Sequence, residues 1–346
     1  MELEPKSSSY KPLLGITLGD FNGIGPEVIM KSLEDSRVLK LCSVIIYGSS
    51  KVLSYYRRLF DLKHFNYNII RKTEQYNPKK VNVLECWEHN YEMKPGQATP
   101  ESGKCAYLAL KKVTQDLKSG LLNGVVTGSI NKSNIQNEEF QFTGHTDYFN
   151  FQFDVKESLM LMVSGKLRVG LVTDHLPIKK ISENVTTERL SIKLSILINT
   201  INRDFGVQKP KIAVLGLNPH AGENGLLGEE ENEIISPAIK EMKQQNHLIF
   251  GPFPADGFFG NFQHHKFDGI LAMYHDQGLI PFKTLAFDTG INYTAGLPII
   301  RTSPDHGTAY NIAGKNVADP SSFLQALLVA HDVIKMRKEH HLEITI

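Results

Sequence analysis

The sequence is short of several things at once, and each shortage closes off a class of function. Cysteine is scarce: Cys42, Cys86 and Cys105 stand far apart in 346 residues, with no C-x-x-C pair. That pattern fits reduced, mostly buried thiols of a cytoplasmic protein rather than a disulfide scaffold. It also means that any metal site must be built from imidazole and oxygen, not thiolate. Charge of one sign is missing as well, since 38 basic residues against 37 acidic ones leave a net +1. Without a basic excess there is no electrostatic footprint for nucleic acid, and an anionic ligand must be held by local charge. No apolar run reaches the length of a bilayer, and "MELEPKSSSYKP" lacks the apolar core of a signal peptide. Residues 1–10 therefore read as a disordered tail. The dinucleotide and phosphate fingerprints are absent too. "LGDFNGIGPEV" (18–28) is Gly-rich and opens a helix, yet Gly19, Gly23 and Gly25 fit neither G-x-G-x-x-G nor the lysine-bearing P-loop.

What is present is an α/β alternation, with 41% hydrophobic and 22% charged residues. Short β-rich runs at 13–19, 43–48, 81–85 and 124–130 predict strands in the first part of the chain. Beyond them, "SLMLMVSGKLRVGLVTDH" predicts a hairpin turning at Ser164-Gly165-Lys166, followed by strands in "KIAVLGLNPH" and "GILAMYH". Helices are predicted over 26–40, 103–119, 187–204, 231–246 and 321–338. Two lobes with a mixed sheet are expected, breaking near 140: 11–140 plus 300–346 as the first and 141–299, carrying any metal site, as the second, although the pattern alone lets the C-terminal helix pack on either lobe.

Three histidines follow directly on apolar strands: His175 in "VGLVTDHLP", His220 in "IAVLGLNPH" and His275 in "GILAMYH". Open α/β sheets bind ligands at the carboxyl ends of strands, so three imidazoles there suit a divalent ion with positions left for substrate. Taken singly, each could be a hydrogen-bonded polar residue at a strand end. "FTGHTDYF" presents His145, Thr146 and Asp147 after a glycine, either as ligand contacts or as a helix cap. Asn292, Arg301, Thr302, Ser303 and His306 crowd one stretch, with Lys283 nearby. One lysine and one arginine suit a doubly anionic substrate, although a surface salt bridge is the ordinary fate of either. The acids at 229–231 favour the N-terminus of the following helix. His264-His265 and His340-His341 lie in polar stretches and are expected to face solvent.

Taken in order, "GDFNGIGPE", "GHTDYF", "TDHLP", "GLNPHAGENGLLGEEE", "MYHDQGLIPFK" and "GINYTAGLPIIRTSPDHGTA" resemble the 4-hydroxythreonine-4-phosphate dehydrogenase family over residues 12–330. The resemblance implies an NAD-dependent enzyme of pyridoxal phosphate synthesis with an isocitrate/isopropylmalate dehydrogenase-like fold. It implies a homodimer, with the dimer interface on the second lobe and the active site in the interlobe cleft at the subunit interface. A divalent metal (Zn²⁺, Mg²⁺ or Co²⁺) would be held by His175, His220 and His275, shared between subunits. Substrate contacts would fall on His145, Thr146, Lys283, Asn292 and Arg301, while the dinucleotide contacts stay unassigned. Asp276 is either a base or the orienter of a neighbouring imidazole. The sequence departs from the family's usual pattern at Phe21 and Asn22 and in the loop 287–291. A paralogous dehydrogenase of another phosphorylated hydroxy acid, or a metal-dependent hydrolase, would use many of the same residues.

Overall fold

The computed structural model describes residues 10–339, so the tail expected at 1–10 falls almost wholly outside the described residues, as do His340 and His341. The described residues form two compact units, one of 10–135 and 308–320, the other of 136–307 and 321–339.

The first unit is a parallel sheet with helical crossovers. Its strands are β1 (Leu13–Thr17), β2 (Ser43–Gly48), β3 (Tyr67–Ile70), β4 (Val81–Glu85) and β5 (Gly124–Thr127), in the order β3-β4-β2-β1-β5. Every residue of β1, β2 and β5 is buried, as expected of parallel strands covered on both faces. The helices are α1 (Gly25–Glu34), α2 (Val38–Leu41), α3 (Ser50–Leu59) and α4 (Pro100–Lys118). The single helix predicted over 26–40 is thus two. Asp35 Oδ1 accepts the backbone N–H of Arg37 at 2.9 Å, a local bond that competes with helix continuation. Helix α4 starts in a capping box, Thr99 with Ser102, followed by Pro100.

The Gly-rich loop after β1 is closed on itself. Gly19 has φ 68°, and a Cβ there would lie 2.2 Å from the Ser129 carbonyl oxygen, so only glycine fits. The backbone N–H groups of Asp20, Asn22, Gly23 and Ile24 all have protein acceptors, which leaves no phosphate cradle. The buried Asp20 carboxylate collects Ser102 Oγ (2.9 Å), Asn134 Nδ2 (2.7 Å) and the Tyr310 hydroxyl (2.8 Å), fastening segment 308–320 to this unit. Of the three thiols, Cys42 and Cys105 are buried, and burial pushes both up to about 12.

The second unit starts with α5 (His145–Gln152), β6 (Leu159–Ser164) and β7 (Leu167–Leu171). It continues through α6 (Ile181–Asn184), α7 (Thr187–Phe205), β8 (Lys211–Leu215), α8 (Ser236–Gln244), β9 (Leu248–Phe253) and α9 (Ala255–Gly260). It closes with β10 (Gly269–Ala272), α10 (His275–Ala286), β11 (Ile291–Ala295), β12 (Arg301–Pro304) and α11 (Ser321–Glu339). Strands β6 and β7 form the expected antiparallel hairpin, while β7, β10, β8 and β9 run parallel, giving a mixed sheet. The expected division placed all of 300–346 in the first lobe. Only 308–320 belongs there, because α11 packs on β12 and α7 of the second unit. An ion pair fixes that choice: Arg337 forks onto the buried Asp204 at 2.6 and 3.0 Å, and the Tyr293 hydroxyl donates to the same carboxylate at 2.6 Å. Among the described residues, no helix is long and apolar enough to cross a membrane.

Candidate active site

Strands β7 and β10 are parallel neighbours, with Val169 opposite Ile270 and Leu171 opposite Ala272, so their chains leave the sheet at the same edge. The pairing continues past the strands. Thr173 donates to the Met273 carbonyl both from its backbone N–H (3.1 Å) and from its hydroxyl (2.8 Å). This register brings two of the three strand-ending histidines together: the rings of His175 and His275 have centroids 5.7 Å apart. Both line a cleft of about 380 Å³ with Asp174, Ile178, Tyr274 and Asp276.

Helix α10 starts at His275, and its placement rests on close packing. Gly278 faces the sheet, where a Cβ would come within 2.6 Å of Leu171 Cδ2 and 3.1 Å of Ala272 Cβ. Leu279 and Phe282 bury themselves in a core with Met162, Leu171 and Ala272. Each such side chain contributes about 1.5–3 kcal/mol of burial, which holds the helix start against the strand ends. Gln277 completes the arrangement by accepting from the Met273 N–H (2.7 Å) and donating to the Gly216 carbonyl beyond β8 (2.6 Å).

The His275 ring is oriented by its neighbour, with Nδ1 2.7 Å from Asp276 Oδ1. That contact leaves Nε2 as the free ligand position and is the usual carboxylate–imidazole support of a metal site. Two imidazoles bound to one ion at about 2 Å bring their centroids to about 5–6 Å, so the observed spacing fits a shared divalent cation. His220 is not in this cleft. It is exposed in the loop after β8, and among the described residues no three His, Cys, Asp or Glu side chains form a ligand group. Residues 220–224 all lie in the left-handed region (φ 53°, 50°, 80°, 43° and 56°), a conformation that non-glycine residues adopt only when held. The buried Glu231 anchors the chain just before this run, accepting the N–H groups of Leu217 and Asn218 at 2.7 Å each. Glu230 adds a bond to Asn218 Nδ2 (2.7 Å) and is kept below the usual carboxylate range by donors from Ser182 and Asn218. The acids read as helix-terminus charges therefore also fasten residues 217–218, where the histidine loop begins.

Anion-holding groups stand on neighbouring elements. Lys283, two turns along α10, reaches Asp305 Oδ2 at 3.2 Å. Burial raises the Asp305 carboxyl against the pull of Lys283. Burial lowers the imidazole of His306. Asp305 escaped the sequence reading, and its only signal there was its place beside His306. Arg301 is buried in β12, donates to Thr294 Oγ1 at 2.9 Å, and is lowered to about 10 by loss of water. Asn292 on β11 has a buried Oδ1 without a hydrogen-bond partner, an acceptor that awaits a donor. His145 and Thr146 open α5. Gly144 takes the cap position, so Thr146 lies inside the first turn and is not the helix cap.

With this geometry in place, similarity to known proteins decides the family. Residues 40–330 match the family model of the pyridoxal phosphate biosynthetic protein PdxA. The chain belongs to the PdxA family. A 4-hydroxythreonine-4-phosphate dehydrogenase from Bacteroides thetaiotaomicron is 47% identical over 94% of this chain and 89% of its own length. A protein from Oceanobacillus iheyensis, provisionally named a D-threonate 4-phosphate dehydrogenase, is 36% identical over 95% of this chain and 98% of its own. Among solved structures, the 4-hydroxythreonine-4-phosphate dehydrogenase of Klebsiella pneumoniae superimposes with a TM-score of 0.80 at 31% identity, covering 95% of this chain and 99% of that one. The fold alone extends to an isocitrate dehydrogenase from Methylococcus capsulatus, with a TM-score of 0.50 at 11% identity, covering 96% and 86% of the two chains. PdxA membership thus agrees with the isocitrate dehydrogenase-like class expected from the sequence.

Proposed function

We propose that the chain is a cytoplasmic dehydrogenase that oxidises 4-hydroxythreonine 4-phosphate at its secondary hydroxyl, with NAD⁺ accepting the hydride. The β-keto acid so formed then loses CO₂ to give 3-amino-2-oxopropyl phosphate. The observation that carries this reading is the pairing of His175 and His275 in a cleft whose neighbouring elements bear Lys283 and Arg301, in a PdxA-family chain.

The roles follow from the chemistry of each group. Lys283 and the buried Arg301 hold the substrate's phosphate and carboxylate, and a guanidinium already stripped of water strengthens that contact. His145 and Thr146 complete the anion contacts. The unpartnered Asn292 Oδ1 accepts from the substrate's amino group, fixing which face of the carbon is presented. Asp276 holds the His275 ring in position rather than acting as the base, since one of its oxygens is engaged at 2.7 Å. His175 and His275 would hold a divalent ion (Zn²⁺, Mg²⁺ or Co²⁺), which would supply Lewis acidity toward the substrate's oxygen. His220 would be the third ligand. Its strained conformation supports a functional role, and two imidazoles in one chain fit a site completed across a homodimer.

The test is NADH formation from NAD⁺ with 4-hydroxythreonine 4-phosphate and, in parallel, D-threonate 4-phosphate. Faster turnover of the amino acid supports the assignment. Preference for D-threonate 4-phosphate would move the chain to the sugar-acid branch, and phosphate release without NADH would replace oxidation by hydrolysis.

A further inference from the structure

A second pocket, of about 530 Å³, opens at the opposite edge of the second unit's sheet. Its lining includes Leu167 and Lys211, the first residues of β7 and β8, and Asp268, which immediately precedes β10. His175 and His275 follow the other ends of β7 and β10. Helix α10 has 12 residues, about 18 Å of rise, between His275 and the pocket-lining Leu285–Ala286.

Lys166, Lys211 and Lys266 converge on this pocket with His264 and His265. Among the described residues, the side chains of Lys166 and Lys211 make no ion pair, and Lys266 bonds only to Gln263 (3.3 Å). The single carboxylate there, Asp268, is engaged by the backbone N–H of Lys211 at 2.8 Å. His264, expected to face solvent, is 7% exposed, and its Nδ1 is buried with no hydrogen-bond partner. Burial and the neighbouring His265, at a ring-centroid distance of 4.1 Å, hold its imidazole toward the neutral form. A buried ring nitrogen without a partner is destabilising unless something satisfies it. Phe262, 61% exposed and stacked parallel to His265 within 10°, and Phe267 supply apolar faces beside the cations.

We propose that this pocket is a second anion site, which takes the phosphate monoester of a small molecule with a flat organic part. The phosphate sits among Lys166, Lys211, Lys266 and the two imidazoles, and the organic part lies against Phe262 and Phe267. Unlike the anion contacts of the candidate active site, it uses neither Lys283 nor Arg301.

Calorimetric titration of the full chain with phenyl phosphate tests it, with Lys166→Gln combined with Lys211→Gln as one variant and Lys283→Gln as the other. Both substituted lysines of the double variant are exposed, so circular dichroism should show an unchanged fold. Wild type and Lys283→Gln should both retain the pocket's binding, and the double variant should weaken it by about tenfold or more. Inorganic phosphate should displace the ester from the pocket, but more weakly because it lacks the ring. In parallel, the imidazole signal of His264, identified by its loss in His264→Gln, should move on saturation in wild type and stay put in the double variant. Superimposable isotherms for wild type and the double variant, or a His264 signal unmoved at saturation in wild type, would overturn the proposal. The readout is binding, so it stands apart from whether the dehydrogenase reading holds.

Discussion

After β1 in the first unit, the Asp20 carboxylate and the N–H groups of Asp20, Asn22, Gly23 and Ile24 are answered from within. After β7 and β10 in the second, the loops leave two imidazoles facing a cleft. Asp20 is 1% exposed and meets four donors, whereas the side chains of His175 and His275 are 59% and 36% exposed. Both loops stand at carboxyl ends of parallel strands, so position alone does not make a site. The difference lies in exposure. A buried carboxylate with its donors in place holds structure, while partly exposed imidazoles at the same topological place are accessible to a ligand.

Substitutions on the two sides should therefore fail differently. The largest effect is expected from His275→Ala or His175→Ala, a fall in turnover of about a thousandfold, or ~4 kcal/mol of activation free energy. Urea unfolding of the same variants should move by less than about 0.5 kcal/mol, because both rings are partly in water. Asp20→Ala should do the reverse. Four donors lose a buried charged acceptor, so stability should drop by about 3 kcal/mol in urea melts, with the metal affinity of the folded fraction unchanged. An Asp20 variant with full stability would undo the contrast. Asp276→Asn comes next, weakening metal binding by about tenfold without changing the melting midpoint.

The smallest effect concerns Asp204. Burial alone would raise its pKa, but hydrogen bonds and charge from Arg337 and Arg203 outweigh it and hold the carboxyl below its ordinary value. Its contribution is therefore complete above the unfolded-state pKa of about 3.9 and is lost as pH falls through the lower folded value. Arg337→Gln should remove most of that acid-range dependence, seen as a shallower loss of wild-type-relative stability between neutral and acid pH.

Much of this was readable from residue patterns, for identifiable reasons. The β6–β7 hairpin declared itself through Ser164-Gly165-Lys166, where Gly165 takes φ 56°. The strand-ending histidines were visible because an apolar run must stop before them. Helix α10 was hidden, since Gly278 and Pro281 inside it are residues of low helix propensity and only packing on β7 and β10 overrides them. Strands β11 and β12 are four or five residues long and lie next to Gly and Pro, too short for periodicity to register. The attachment of α11 depended on Arg337 meeting Asp204, a partner 133 positions away that no local pattern reveals. Of the expected metal ligands, His175 and His275 meet within one chain and His220 does not, a distinction set by three-dimensional loop geometry. The dinucleotide contacts gave no signal, because the chain lacks the Gly-rich fingerprint that marks them elsewhere.

The most direct test of the central claim is metal binding itself. Chelated protein should be dialysed against Zn²⁺, Mg²⁺ or Co²⁺, with bound ion and NADH formation measured on the same samples of wild type, His175→Ala and His275→Ala. The account predicts stoichiometric binding of at least one of these ions in wild type, NADH formation that returns with it, and loss of both in each variant while the fold persists. Unchanged ion binding in both variants, or full NADH formation by the chelated wild type, would contradict it.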